Sequence, residues 1–380
     1  MIDPAKYSWL QLEPVDAWFF RDGRPSNRGE DQSDLESEFP PNAATVVGAI
    51  RAALARQQGW NGRDSWDTGL HDVLGDGFDN LGTLAFLGPL LMQSNELLFS
   101  MPQHVVGHTV NGRFQPVALL VPSKKRISTD CGDIQLPTLP DNWRDQLAEQ
   151  SGLSDAQRNK PPEPANDLFV TSTGMSKILG GQLPAAEDCK RSSDLFAHES
   201  RVGIRRDETT RTTGQGAIYS PRYVRLTPGV SLVMAVSGVP NNWKIPSLVP
   251  IGGESRLAGV EMLAQAPALP QTKGSTGTAT VISVTPSRFT KCWWGAGPDD
   301  DASQLAVELS GRVVTAALDR PQRIGGWDSR EHRPLALAPF APAGTVWWIE
   351  DTQADTGLIQ IGDTHHTRYG HGMAFVRGSA

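Results

Sequence analysis

Arginine is the residue whose spacing points most directly to chemistry in this chain. From Glu199 to Arg225 the sequence reads ESRVGIRRDETTRTTGQGAIYSPRYVR, which sets Arg201, Arg205, Arg206, Arg211, Arg222 and Arg225 against only Glu199, Asp207 and Glu208. A guanidinium presents a planar fork of donors that meets phosphate oxygens in pairs, and Tyr219 and Tyr223 offer ring faces on which unpaired bases stack. Arginines interleaved with Tyr, Thr and Gly suit single-stranded RNA. The same composition also suits a solvated hairpin whose arginines pair with an acidic segment of the chain, and composition leaves the two readings open.

A second basic feature precedes the best helix in the sequence. Arg21-Asp22-Gly23-Arg24-Pro25-Ser26 forms a turn-rich loop, followed by a run from Glu30 to Glu38 with five carboxylates and no base, which reads as a solvated loop. Pro40-Pro41-Asn42 then leads into residues 43–58, where Val46, Val47, Ile50, Ala53 and Leu54 recur at helical spacing. Asn42 suits the N-cap, so the free amides of this helix should open near Arg21 and Arg24, and a helix N-terminus is a natural seat for phosphate.

Other chemistry is thinly supported. No Gly-x-x-x-x-Gly-Lys-Ser/Thr precedes a helix and no Gly-x-Gly-x-x-Gly opens one, so nucleotide hydrolysis on a phosphate loop is excluded. His104 and His108 stand four apart, but Val105-Val106-Gly107 between them favours strand or turn and no third ligand is apparent, so no metal and no cofactor are expected. His365, His366 and His371 cluster near the C-terminus, where an imidazole acid or base for RNA cleavage is conceivable.

The elements that must position these residues are short strands. Gly 38 and Pro 28 in 380 residues punctuate brief apolar runs, and 38% hydrophobic against 20% charged residues describes a globular chain with a sizeable core. The length exceeds one ordinary domain. The net charge of -7 argues against coating nucleic acid by bulk charge, so any such site must be local. Three scattered cysteines, Cys131, Cys189 and Cys292, fit neither a disulfide framework nor a metal site. With no apolar run of membrane-spanning length and no basic-apolar leader at the start, a cytoplasmic protein without membrane contact is expected.

Residues 7–20 read as a first strand bent at Pro14, and 84–92, 96–101 and 117–121 as strand-like pieces in a long mixed segment from Gly59 to Glu199. Residues 216–226 suggest a hairpin, and 230–236 a buried strand. The last third offers strands at 278–284, 313–318 and 345–349 with a weak helical window at 302–309. Gly-rich loops stand at Ile251-Gly252-Gly253-Glu254-Ser255-Arg256 and Arg368-Tyr369-Gly370-His371-Gly372. The organisation expected is α+β: two ferredoxin-like (RRM-like, βαββαβ) domains, 1–264 and 265–380, the first with an insertion at about 60–199.

Several segments together resemble the Cmr-type RAMP subunit of type III-B CRISPR effector complexes. They are Phe19-Phe20-Arg21-Asp22-Gly23-Arg24-Pro25, Phe39-Pro40-Pro41, Gly48-Ala49-Ile50-Arg51, the stretch from Arg201 to Tyr219, Gly252-Gly253-Glu254-Ser255-Arg256, Ile324-Gly325-Gly326-Trp327-Asp328, and Pro342-Ala343-Gly344 before a strand. The matches keep the family's order from Phe19 to Val346, although the 60–199 segment matches little.

The resemblance implies two RAMP domains, a grip on the 5′ repeat-derived tag of the guide RNA, and no catalysis. It implies as partners the guide, the large polymerase-cyclase subunit, the backbone RAMP subunits and, indirectly, target RNA. The RNA-binding residues expected are Arg21, Arg24, Asn42, Thr45 and Arg51 around the helix start; Arg201, Arg205, Arg206, Arg211, Tyr219 and Arg222 on the hairpin; Gly252, Gly253, Ser255 and Arg256 on the first glycine loop; and Gly325, Gly326, Trp327 and His371 in the last third. A metal-independent endoribonuclease using His365 or His371, and a purely structural adaptor, are the competing expectations.

Overall fold

The computed structural model describes residues 1–21, 37–129, 132–148, 154–206, 213–272, 277–328, 333–353 and 355–378. Arg24, Arg211 and most of the acidic run at 30–38 lie outside the described residues, as do the side chains of Arg205, Arg206 and Tyr219.

The chain is mixed α/β, mostly strand with few helices. Its first strand, Ser8–Pro14, shows why a sheet forms: Leu10 and Leu12 point to one face and Trp9 to the other, and all three are buried. The neighbouring strand Val230–Ser237 is buried almost throughout, its even positions Val230, Leu232, Met234 and Val236 joining Leu10 and Leu12, while Val233 and Ala235 join Trp9. A sheet covered on both faces requires this continuous apolar run. Eight strands assemble in the order Cys189–Arg191, Leu168–Thr171, Glu96–Ser100, Ala85–Gln93, Val230–Ser237, Ser8–Pro14, Leu257–Met262 and Leu248–Pro250, and every pairing is antiparallel.

The helix Ala43–Gln57 lies on one face, inserting Val46, Val47, Ile50 and Leu54 among Leu10, Leu12 and Met234. It links Ser8–Pro14 to Ala85–Gln93 across the position occupied by Val230–Ser237. The Gly59 to Glu199 segment, expected to be an insertion, therefore supplies four strands of this sheet.

A second sheet repeats the plan, in the order Arg312–Ala317, Val346–Thr352, Gly277–Ser283, Met373–Gly378 and Gly357–Gln360, again antiparallel. The expected helical window at 302–309 is only a 3-10 turn, Ala302–Gln304, and a short helix Thr364–Arg368 precedes the last strand. Ile282, Trp348 and Phe375 face Trp9, Phe99 and Val233, so the two sheets share one core. Trp347, Ile349 and Val376 face away into a further cluster.

The Arg368–Gly372 loop locks the halves together. Arg368 donates to the carbonyls of Gly82 and Leu84, Tyr369 Oη donates to the Phe78 carbonyl at 2.6 Å, and a Cβ on Gly370 would stand 2.3 Å from the Gly88 carbonyl oxygen. His371, expected at RNA, is 3% exposed within this seam, and desolvation holds its imidazole neutral with a pKa of about 3. That expectation is corrected: the ring is packed against Phe340 inside the protein.

Candidate nucleic-acid interface

The site begins where the first strand ends. Beyond Pro14 the chain turns, and Trp18, fully buried, exchanges backbone hydrogen bonds with Val224 at 2.9 and 2.7 Å. This pins Asp16 beside the ladder of Phe196–Ser200 with Arg222–Leu226, where Glu199 faces Tyr223 and Ala197 faces Arg225. Strand periodicity puts Glu199, Tyr223 and Arg225 on one face, and Arg201 follows on the same side.

The charges meet there. Arg201 reaches Asp16 and Glu199, each at 2.8 Å; Arg225 reaches Asp16 at 2.8 Å and Glu199 at 2.7 Å; Arg256 reaches Asp16 at 3.4 Å. Hydrogen bonds from Arg201 and Arg225 pull the Asp16 carboxyl down to about 2, and the same two arginines lower Glu199. Three guanidiniums against two carboxylates leave one positive charge in surplus. All five side chains keep solvent exposure of between 23% and 45%, so the pairs are screened by water and stay accessible from solution.

Tyr223 is not a free stacking surface. Arg201 lies 5.1 Å and Arg256 4.2 Å from its ring centre, Phe19 packs at 5.7 Å, and the residue is 4% exposed. The ring holds two guanidiniums in place by cation–π contact, and a base stacking on it, as expected from the sequence, is excluded by this burial.

The glycine loop is explained by Phe19. Gly252 has φ +71°, and a Cβ there would lie 2.4 Å from the Phe19 carbonyl oxygen, while the Gly253 amide donates to that same oxygen at 2.8 Å. Glu254 and Ser255 are also left-handed, at 57° and 54°. The close backbone approach expected for RNA is thus made to the protein, and its result is to aim Arg256 at Asp16 and leave Ser255 exposed.

Next to Phe19, the Phe20 amide donates to Ser37 Oγ and the Glu38 amide to the Phe20 carbonyl, which leads the chain to the long helix and leaves Arg21 exposed. Asn42 caps as expected: its Oδ1 accepts from the Ala44 amide at 3.1 Å and its carbonyl from the Thr45 amide at 3.0 Å. The amides of Ala44 and Thr45 are therefore satisfied within the protein and are not among the free amides expected at the start of this helix. The other side of Asn42 donates from Nδ2 to the Gly325 carbonyl at 2.6 Å.

Gly325 sits at a register shift in the hairpin of Gln322–Asp328 with Arg333–Phe340, and the bulge turns its carbonyl toward the helix start. Gln322 adds a bond to Glu38 at 2.8 Å. Gly326 lies across from Leu335, which a Cβ would meet at 3.2 Å, and Trp327 beside it is 60% exposed. The contacts run unbroken from Arg201 through Tyr223, Phe19, Gly253, Phe20 and Glu38 to the Trp327 hairpin. The backbone of Arg205 and Arg206 continues from Arg201 in the strand Gly203–Arg206, paired with Thr213–Tyr219. Arg222, opposite Ser200, faces away from Tyr223.

Arg51 is a second correction. It is 7% exposed, and its guanidinium donates to the carbonyls of Leu74 at 2.8 Å, Gly77 at 3.0 Å and Asn80 at 3.2 Å while lying over Trp66. Every face of the group is committed to bracing the 66–80 segment. Asp16, conversely, carries no sequence signal as a site residue: it is an acid in a turn whose nearest side-chain partner, Arg201, stands 185 residues further along the chain.

Among the described residues no cluster of His, Cys, Asp or Glu is arranged to hold a metal ion, and no helix is long and apolar enough to cross a membrane. His104 and His108 lie at and in a strand, with His104 buried and neutral at a pKa of about 3. His365 packs against Phe78 and Tyr369.

Residues 10–376 match the model of a family described as CRISPR-associated protein (Cas_Cmr3). The chain belongs to this family. No curated protein matches it in sequence. Among solved structures, a chain of the type III-B Cmr-beta complex bound to cognate target RNA is similar at 16% identity and a TM-score of 0.44, covering 90% of this chain and 86% of that one. A chain of the Csm3-Csm4 subcomplex of the type III-A interference complex is similar at 10% identity and a TM-score of 0.37, over 98% and 99%. As a member of the Cas_Cmr3 family the chain is a RAMP-type subunit of type III CRISPR systems.

Proposed function

We propose that this subunit is non-catalytic and grips the 5′ repeat-derived tag of the guide RNA at the foot of a type III-B RNA-targeting effector. The observation that carries the reading is the exposed arginine platform around Tyr223, which holds a surplus positive charge on an otherwise acidic chain and is joined to the Trp327 hairpin. A phosphodiester entering the platform exchanges with Asp16 or Glu199 for bidentate arginine contact, and Trp327 offers a base an exposed face. Arg21 and Ser255 are exposed next to it, and Arg24, Arg205, Arg206 and Arg211 enter the proposal as further phosphate contacts from their residue type alone.

Leaving added strands aside, each sheet places its first strand between the third and fourth of a succession that is β-α-β-β-β in the first half and β-β-β-α-β in the second, where the 3-10 turn Ala302–Gln304 stands in place of the first helix. That order supports the reading of two ferredoxin-like RAMP domains, 1–264 and 265–380. In the first, the second crossover helix is replaced by the loop carrying Gly252 to Arg256, and the added material falls between Gln93 and Val230. The partners that accompany this reading are the guide, the large polymerase-cyclase subunit, backbone RAMP subunits and, through the guide, target RNA.

Photocrosslinking from 4-thiouridine placed in the tag, followed by mass spectrometry of the assembled complex, tests the assignment. Crosslinked peptides from 196–226 and 322–340 are expected. Crosslinks confined to other subunits would reject the platform as the tag site.

A further inference from the structure

Two of the three guanidiniums on the platform are held by a ring as well as by carboxylates. The Cζ of Arg256 lies 4.2 Å from the centre of the Tyr223 ring and that of Arg201 5.1 Å, both inside the roughly 6 Å over which a cation is drawn to an aromatic face. For Arg256 the ring is the main hold. Among the described residues its side chain makes a single hydrogen bond, to Asp16 at 3.4 Å, well beyond the ~2.7–2.9 Å of a strong charge-assisted bond.

The ring itself cannot swing away. Tyr223 is 4% exposed, Phe19 packs on it at 5.7 Å, and the Phe19 carbonyl accepts from the Gly253 amide at 2.8 Å, on the loop that carries Arg256. One stack therefore joins the glycine loop to the strand Arg222–Leu226, and both guanidiniums lie against it. No described residue bonds to the Tyr223 hydroxyl, so the face of the ring is the part of the side chain that acts on the arginines. An arginine free to move loses rotamer freedom when it clasps a phosphate; one already stacked loses less, and the difference appears as affinity.

We propose that Tyr223 is a positioning residue for guide binding: without touching RNA, its ring face holds Arg201 and Arg256 in the poses that meet phosphate. The proposal rests on the reading of the platform as the guide's site. Guide binding would be followed by fluorescence anisotropy on the assembled complex over a range of salt concentrations, for Tyr223→Phe, for pentafluorophenylalanine placed at position 223, for the Arg201→Gln, Arg256→Gln pair, and for that pair carrying the fluorinated ring. Fluorination keeps the ring's shape and packing but takes the negative charge from its face. Tyr223→Phe is expected to bind within about twofold of the parent and the fluorinated ring about tenfold more weakly. The log–log salt slope and the melting temperature should stay the same in both, because the charges and the phosphates they meet are all still present. In the arginine pair, fluorination should weaken binding no further. A fluorinated chain that binds like Tyr223→Phe, beside a weakened arginine pair, overturns the proposal and leaves the platform's role standing. A fluorination penalty that persists in the arginine pair overturns it as well, since the ring would then touch the RNA. An arginine pair that binds like the parent removes the platform from the guide's path, and the proposal falls with it.

Discussion

Replacing Arg51 with Met separates a bracing residue from an RNA contact. The guanidinium holds three backbone carbonyls, one of them at the C-terminal end of the helix Thr68–Leu74, and lies 5.1 Å from the centre of Trp66. Methionine keeps the apolar stem but strands the carbonyls of Leu74, Gly77 and Asn80. At about 1–1.5 kcal/mol per net hydrogen bond, with a further ~0.5–1 kcal/mol for the cation–π contact, the loss comes to roughly 4 kcal/mol. Because 380 residues need not unfold in one step, amide hydrogen exchange is the better assay, read locally over 66–84. The expected result is about a thousandfold loss of protection there, from ~1.4 kcal/mol per factor of ten, with little change in the Gly277–Ser283 strand and guide affinity altered less than twofold. Unchanged protection with a tenfold weaker guide complex would refute the reasoning and return Arg51 to the RNA.

Acidification should destabilise the fold through His104 and His371. Each takes up a proton near pH 6.5 when unfolded but only near pH 3 when folded, so their stabilising effect is complete above pH 6.5 and is lost as pH falls toward 3. Between pH 7 and 5 the two together cost about 4 kcal/mol, and His104→Gln should remove about half of the shift in urea midpoint; a midpoint independent of pH would contradict this. Gly252→Ala should lower stability by about 1–3 kcal/mol, through strain at φ +71° and the clash with Phe19, whereas Gly259→Ala, whose Cβ meets nothing closer than 3.9 Å, should melt like the parent. Asp16→Asn raises the surplus charge of the platform from one to two. RNA anisotropy at low salt should then show binding a few-fold tighter, and weaker binding would mean that Asp16 orients the arginines for RNA.

Much of this was legible in local pattern. The long helix and its Asn42 cap, the first strand and the Val230 strand follow from periodicity and end-capping alone, because their apolar faces recur at fixed spacing. The basic window was legible as a window but not as a platform, since its geometry depends on Asp16, Tyr223 and Arg256, which only folding unites. The glycines at 252, 253 and 370 announce close backbone approach without saying to what, and in each case it is to another segment of this chain. Arg51 and His371 carry side chains typical of RNA contacts, yet burial committed both to the protein. No residue-by-residue signal marks that difference, because the carbonyls of Leu74, Gly77 and Asn80 come together only in the folded loop.

The salt dependence of guide binding tests the central claim most directly. Parent and an Arg201→Gln, Arg225→Gln, Arg256→Gln triple variant, each assembled with the neighbouring subunits, would be titrated against labelled tag-bearing guide by fluorescence anisotropy at several salt concentrations. Each lost phosphate contact flattens the log–log slope by about 0.7 for a single strand. The platform predicts a slope shallower by up to about two units and a weaker complex at low salt, with the melting temperature close to that of the parent. An unchanged slope and affinity in a folded triple variant would contradict the account and place the guide's tag elsewhere.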